Sequence, residues 1–257
     1  MNFNTDFHVH TIYSDGLMRP VDIVKKYKEE EYSVVAITDH DTVAGVNEAL
    51  IAADALEMNV VPGIELSCTA KLDDGVLEDV HILGYYIDIN NKALLETSEK
   101  LLGYRRERNQ EVVSRLKEMG IDLDLAELQK SPGNDFVGKA DFVRVFEERN
   151  YDIESPWEFL SSVPKKCIDV QEAIDVIKGA GGIPVLAHPL KIRDLRPEED
   201  GFYERLDTVL RALKKMGLKG LECYHPSADN EASLKLVSFA SKYHLHITNG
   251  SDFHGKY

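Results

Sequence analysis

Cysteine is scarce in this chain: Cys68, Cys167 and Cys223 are the only three thiols in 257 residues. An odd, widely spaced set makes neither a disulfide framework nor a CxxC pair, and it fits buried structural thiols in a reducing compartment. Basic residues are outnumbered, 30 Lys and Arg against 45 Asp and Glu, for a formal charge of −15. That balance argues against stable binding to duplex nucleic acid, because sequence-independent affinity for phosphate comes from clustered cations. A phosphate substrate remains compatible with it, since bound divalent cations reverse the field locally. No run approaches the ~18 consecutive apolar residues of a membrane span, and the basic-then-apolar start of a secretory signal is missing. The expectation is a cytosolic protein. Neither a GxSxG elbow nor a Walker loop is present, so serine-nucleophile and NTP-cleaving mechanisms lack support.

What is there is an alternation of strand-like and helix-like segments. Strands are expected at residues 3–8, 33–38, 60–66, 80–87, 183–187, 220–224 and 246–250. The second of these, Ser33-Val-Val-Ala-Ile-Thr38, is a continuous apolar run of the kind found in parallel sheets. Helices separate most of the strands, as in a parallel α/β barrel or a doubly wound sheet. Residues 92–165 break the alternation with a long helical pattern over 93–119, shorter pieces at 125–129 and 139–148, and a loop containing Ser155-Pro156-Trp157. This stretch reads as a helical insertion capping the barrel, which divides the chain into a first barrel part (1–91), the cap (92–165) and a second barrel part (166–257).

The histidines and acids fall where chemistry is done in such a fold, at the C-terminal ends of the strands. His8 and His10 close the first strand and point the same way. Asp15 lies in the next loop, His40 ends the second strand, and Glu65 ends the third. His81 sits in the fourth, nearer its start; His188 ends the fifth; Asp252 and His254 follow the seventh. Each has a bland alternative, such as a core histidine for His81 or a turn residue for Asp15 before Gly16. Together they lose that excuse, because each would leave a costly polar group at a buried strand end. Six imidazoles with three carboxylates suit Zn, Mn or Fe rather than Mg or Ca, in two or three sites. His244-Leu245-His246 repeats the HxH spacing but precedes its strand, so it is expected on the opposite rim and outside the site.

The segments Asp6-Phe7-His8-Val9-His10-Thr11, Thr38-Asp39-His40-Asp41, Pro62-Gly63-Ile64-Glu65, Val80-His81-Ile82-Leu83-Gly84-Tyr85, Ala187-His188-Pro189 and Gly250-Ser251-Asp252-Phe253-His254-Gly255 resemble, in order, the signatures of the polymerase-and-histidinol-phosphatase (PHP) superfamily. The resemblance implies a distorted seven-stranded (β/α) TIM-like barrel and a trinuclear centre. His8, His10, Glu65 and Asp252 would hold one metal; Glu65 would bridge to a second, completed by His81 and His188; Asp15, His40 and His254 would hold the third. Some relatives carry His where this chain has Asp15, which makes the third site harder. Asp39 and Asp41 read as orienters of the imidazoles. The long insertion resembles the branch of small phosphoesterases acting on nucleotides: nucleoside 3′,5′-bisphosphate phosphatases and enzymes that trim short RNA from its 5′ end.

Arg105 and Arg108, three apart on the cap helix, share a face and suit a substrate phosphate, and Lys139 joins them as a binding candidate. The alternative is a solvated face paired with Glu107 and Glu111. Lys139 and Asp141 stand where that branch has Arg and His. The implied chemistry is in-line attack on phosphorus by a hydroxide bridging two metals, with His225 protonating the leaving oxygen or binding phosphate. The expected partner is a small phosphorylated nucleotide or short oligoribonucleotide. Histidinol-phosphate phosphatase is a second reading, and a non-catalytic PHP module a third from another class.

Overall fold

The computed structural model describes residues 4–72, 75–130 and 136–255, with the side chain of Arg193 left aside. Phe3, at the start of the first expected strand, lies outside the described residues. The strands expected from the apolar runs form as β1 (Thr5–Val9), β2 (Val34–Ile37), β3 (Asn59–Leu72), β4 (Gly75–Tyr85), β6 (Ile183–Leu186), β7 (Gly220–Tyr224) and β8 (His246–Asn249). A two-residue strand, β5 (Ile168–Asp169), adds itself to β3. Along the main path the order is β1-β2-β3-β4-β6-β7-β8.

The sheet is mostly parallel, with one exception that the periodicity alone did not predict. β4 runs against both of its neighbours, β3 and β6. A parallel return needs a crossover of a dozen or more residues, and the two residues between β3 and β4 leave no room for one. The reversal matters for the site. In a parallel strand, a histidine near the start of the expected segment 80–87 would face the wrong rim. Running backwards, β4 brings His81 opposite Ser67, beyond Glu65 on β3.

β1 and β8, the two ends of the path, lie beside each other. Val9 bridges Phe253 in parallel, and His10 N donates to Phe253 O at 2.9 Å. The Asn249 side chain donates to Thr5 O at 2.6 Å. Side chains alternate across the sheet by the period of two. One face, with Val35, Ile37, Ile64, Leu66, Ile82 and Leu221, packs on the helices in the main core. The other carries a smaller cluster of Ala36, Val61, Leu83, Tyr85, Val185 and Ala187. Glu65, His81 and Glu222 fall in register with this second face.

The helices are set by ordinary start signals. α1 (Pro20–Glu29) opens on proline, whose fixed φ suits the first turn, and buries Ile23, Val24 and Tyr27. α2 (Val46–Leu56) packs on α1. α3 (Lys92–Glu118) is capped by Asn91, whose side chain accepts from Leu94 N at 3.1 Å. α6 (Val170–Gly179) and α8 (Asn230–Lys242) are capped by Asp169 and Asp229; α7 (Phe202–Met216) ends at Gly217 in the left-handed conformation. Between α3 and β5, α4 (Lys139–Glu148) is joined by α5 (Pro156–Ser162), where the sequence reading expected a loop. Pro156 is the reason: it cannot continue a helix but starts one well. Val112, Leu116, Leu128, Phe142, Phe146 and Leu160 form a core of their own, separate from the one around the sheet. Among the described residues no helix is long and apolar enough to cross a membrane.

Candidate metal centre

Glu65 is the focus of the site. It is fully buried, and five imidazoles approach its two oxygens. Oε2 lies 3.2 Å from His8 Nε2, 3.3 Å from His10 Nε2 and 2.9 Å from His40 Nδ1. Oε1 lies 2.9 Å from both His81 Nδ1 and His188 Nε2. On one side, Asp252 Oδ1 sits 3.5 Å from His8 Nε2 and 3.2 Å from His10 Nε2. On the other, Asp15 has one oxygen 3.1 Å from His254 Nε2 and the other 3.7 Å from His40 Nε2. The structure thus brings all nine candidate ligands into one pocket. His244 and His246 are not among its groupings.

Several of these contacts are close without being hydrogen bonds. His8 Nε2, His10 Nε2, His40 Nδ1, Glu65 Oε2 and Asp15 Oδ1 are buried and, among the described residues, have no hydrogen-bond partner. An unpaired buried polar atom costs about 1–3 kcal/mol, so five at one point need a common cause. Divalent ions supply it. The side chains fall into four overlapping sets able to hold one: His8, His10 and Asp252; His10, Asp15, His40 and His254; His8, Glu65 and His188; His40, Glu65 and His81. The nitrogen-rich donor set suits borderline transition ions.

The residues behind these side chains fix their aim. Glu222, buried on β7, accepts from His8 Nδ1 at 3.0 Å and from His188 N at 2.7 Å, which leaves His8 Nε2 facing Glu65. Asp6 accepts from His8 N and Ser251 N. Asp39 does not reach an imidazole; it holds Thr11 through its N–H and hydroxyl, each at 2.7 Å, and accepts from Ser14, which stands 3.4 Å from His10 Nδ1. Asp41 departs further from the orienting role expected of it. Its oxygens take Ser67 N, the Ser67 hydroxyl and Arg105. Asp41, His188 and Asp252 adopt positive φ values of 59°, 22° and 53°. Such conformations cost about 1–3 kcal/mol each and persist where the surroundings enforce them.

Gly250 shows how tightly the site is built, since a Cβ there would lie 2.3 Å from both Glu222 Oε1 and His8 Cβ. Gly250→Ala should break the Glu222–His8 contact and weaken metal affinity by about 10- to 100-fold, as losses behind the ligands do. Competition titration against a chelating dye measures it; unchanged affinity would mean that Glu222 does not steer His8.

Burial opposes the charge on His8, His10, Asp15, Glu65, His81 and Asp252, yet pairing overrides it for all but His81. His8 is held well above the ordinary imidazole range: burial lowers it, but the Glu65 and Glu222 carboxylates outweigh that. His10 is pushed up to about 10, with burial again opposed by Asp252 and Glu65. Glu65, Asp15 and Asp252 lie below the usual carboxylate range, because neighbouring imidazoles overcome their burial. His81 goes the other way, to about 4, since burial exceeds the pull of Glu65.

The sign follows for the metal-free protein. The His10 imidazolium contributes stability fully below the unfolded value of 6.5 and loses it as pH rises through about 10. Metal binding must displace the protons on His8 and His10, while His81 and the carboxylates have none to give. Loading at pH 8 should therefore release roughly two protons. Calorimetry in buffers of different ionisation enthalpy counts them, and a count of zero contradicts the pairing.

A cavity of about 360 Å³ opens over the centre, lined by His40, His81, His188, Asp15, Asp252 and His254 at its floor. Arg105, Lys139, Lys165, Lys166 and Lys191 ring its wall. A model of the PHP domain matches residues 6–223.

The chain belongs to the PHP domain family.

Among its PHP relatives, the 5′-3′ exoribonuclease Rnm of Escherichia coli is 29% identical over 97% of this chain and 84% of its own length. The 3′,5′-nucleoside bisphosphate phosphatase of Chromobacterium violaceum is 26% identical, with 98% and 87% covered. The phosphoribosyl 1,2-cyclic phosphate 1,2-diphosphodiesterase of Eggerthella lenta is 28% identical, with 98% and 94% covered. A solved structure from Bifidobacterium adolescentis, described as a metal-dependent phosphoesterase, superposes with a TM-score of 0.81 at 28% identity, covering 98% of this chain and 88% of that one. This PHP chain is accordingly a metal-dependent phosphoesterase, a hydrolase of phosphate esters.

The candidate substrate residues of this PHP chain fare unevenly. Arg105 lines the cavity, but its guanidinium donates to Asp41 Oδ2 at 2.7 Å and lies 4.0 Å from the Phe136 ring centre. Arg108 is buried and braces the cap helix, donating to the carbonyls of Leu160 and Val163; burial lowers its pKa to about 10. Two of its nitrogens are engaged in this brace, and Arg108 also lines the cavity beside Arg105. Glu107 and Glu111 partner Lys166 and Arg115 instead of either arginine. Lys139 donates to Ser161 at 3.0 Å from the cavity wall. His225 stands behind Asp252 and lines a neighbouring cavity. Its Nδ1 accepts from Ser227 N, so the ring proton of the neutral form sits on Nε2, 3.4 Å from Asp252 Oδ2. Through that contact it faces the Asp252 carboxylate, which lines the main cavity. Sequence reasoning missed Glu222 as an orienter, and it missed Lys191, whose Nζ lies 2.6 Å from Asp252 Oδ2.

Proposed function

We propose that the chain hydrolyses phosphate monoesters or diesters of nucleotide type, a nucleoside 3′,5′-bisphosphate or a short 5′-phosphorylated RNA, with two or three divalent ions of zinc, manganese or iron in the site. The observation that carries this reading is Glu65, with both oxygens shared among His8, His10, His40, His81 and His188, beneath a cavity walled by cations. Ions bound there would lower the pKa of a water and neutralise charge on the phosphate oxygens. Asp252 and His254, with Asp15 and His40, lie at the floor of that cavity. Arg105, Lys139, Lys165 and Lys191 draw the anionic ester in and orient its second phosphate. His225 keeps Asp252 aimed.

The same reading takes the sheet as a distorted seven-stranded barrel, supported by the β1–β8 contacts, with residues 92–165 as its cap, supported by their separate core. Free Cys68 and Cys223, both buried, favour a cytosolic setting.

The test is phosphate release by metal-loaded protein from four esters: a 3′,5′-bisphosphonucleotide, a 5′-phosphorylated short RNA, a phosphoribosyl 1,2-cyclic phosphate and histidinol phosphate. Preference for either of the first two is expected. Preference for histidinol phosphate, or no hydrolysis of any, overturns the reading.

A further inference from the structure

The cavity over the metal centre is charged on nearly every side, which makes its exposed tryptophan conspicuous. Trp157 stands in the first turn of α5 and lines that cavity while remaining 54% exposed. It is the only tryptophan in the chain. The neighbouring aromatics have partners: the Arg105 guanidinium lies over Phe136, and Lys166 lies 5.6 Å from the Tyr104 ring centre. Among the described residues, no ring or cation stacks on Trp157. Large indoles dominate burial where they are covered, and a free indole face forgoes that gain. An indole face opening into a site floored by metal ligands and walled by cations needs an occupant that is both flat and anionic.

We propose that Trp157 is the platform on which the substrate's nucleobase stacks, making it the specificity-determining residue for base-bearing esters. This rests on the nucleotide reading above and deepens it. The substrate's scissile phosphate faces Glu65 and its surrounding imidazoles. Arg105, Lys139 and Lys166 meet the remaining negative charge, and the base lies against the indole. Stacking tolerates any base, since every base has a π face, so the platform selects nucleotides over base-free sugar phosphates while discriminating little among the bases. Leu101 and the Tyr104 ring add further apolar surface to the wall.

The experiment compares a nucleoside 3′,5′-bisphosphate with the base-free ribose 3,5-bisphosphate on metal-loaded wild type, Trp157→Ala and Trp157→Phe. Wild type should prefer the base-bearing ester through KM. In Trp157→Ala that preference should shrink about 10- to 100-fold, the scale of one base–aromatic stack, with kcat little changed. Trp157→Phe should restore most of it. Equal loss on both esters would mark a merely structural role and overturn the proposal, as would an unchanged preference. Should wild type hydrolyse neither ester, the nucleotide reading fails by itself, and fluorescence of the sole tryptophan decides the platform. Saturable quenching by adenosine 5′-monophosphate but not by ribose 5-phosphate supports it; no quenching overturns it.

Discussion

Glu65→Gln should lower kcat/KM by more than about 10³-fold while leaving the fold in place. The glutamine matches the carboxylate in size, so the buried space is filled as before. What is lost is the charge shared by five imidazoles, three at Oε2 and two at Oε1. An amide also turns one oxygen into an NH₂ donor, which repels a cation where the carboxylate would hold it. Stabilisation of phosphoryl charge by bound ions is worth several kcal/mol, and each 1.36 kcal/mol is tenfold in rate, which sets the size of the loss. Metal content should fall by at least one ion per chain in the same preparation. Circular dichroism confirms folding, and a steady-state assay reads the rate. A variant within tenfold of wild type would remove Glu65 from the centre of the chemistry.

Lys130→Met should destabilise the protein by about 3–5 kcal/mol, the cost of leaving one member of a buried ion pair alone. Lys130 and Asp141 are almost wholly inaccessible, at 8% and 1% for their side chains, with Nζ 3.3 Å from Asp141 Oδ1. Lys130 also donates to Ser14 O, and the second Asp141 oxygen accepts from Gly138 N at 2.8 Å at the start of α4. The pair thus ties α4 to the loop that carries Asp15. Burial raises the Asp141 carboxyl above its usual range, although Lys130 pulls it down. Without Lys130 it should rise further. A carboxyl raised in the folded state destabilises above its folded pKa and ceases to as pH falls, so the deficit should be largest near pH 8 and shrink toward pH 4. Lys130→Met with Asp141→Leu should recover most of the stability, because an apolar pair of similar volume avoids desolvation altogether. Urea denaturation at the two pH values measures both effects. A single variant as stable as wild type at pH 8 would show that the pair holds nothing.

The candidate site was legible because its residues stand at strand ends, and a strand end is where an apolar run stops. His8, His40 and His188 could each be placed from the run before them. His81 was harder. The sequence reading put it near the start of its strand, the wrong end under an all-parallel assumption. The Asp74-Gly75 pair after β3, a hairpin signal, carries the missing information, and the reversal of β4 turns His81 to the common pocket. Arg108 shows another limit. It lies seven residues after Leu101 and four before Val112, both buried, and helical geometry turns it inward with them. Weighing charge alone misses the brace it makes to the Leu160 and Val163 carbonyls. Glu222 was hidden by its surroundings: an acid inside Gly-Leu-Glu-Cys-Tyr looks like a strand residue until His8 is seen beside it. The Lys130–Asp141 pair had no local signal, since its members come together only through tertiary packing.

Metal stoichiometry is the direct measure of whether the nine converging side chains form a polynuclear centre. Protein purified without chelator and dialysed against zinc or manganese should carry at least two ions per chain by mass spectrometry of the metals, and His10→Ala, which removes a nitrogen facing both Glu65 and Asp252, should carry fewer. One ion or none in the native protein, with phosphoesterase activity intact after stripping, would contradict the account.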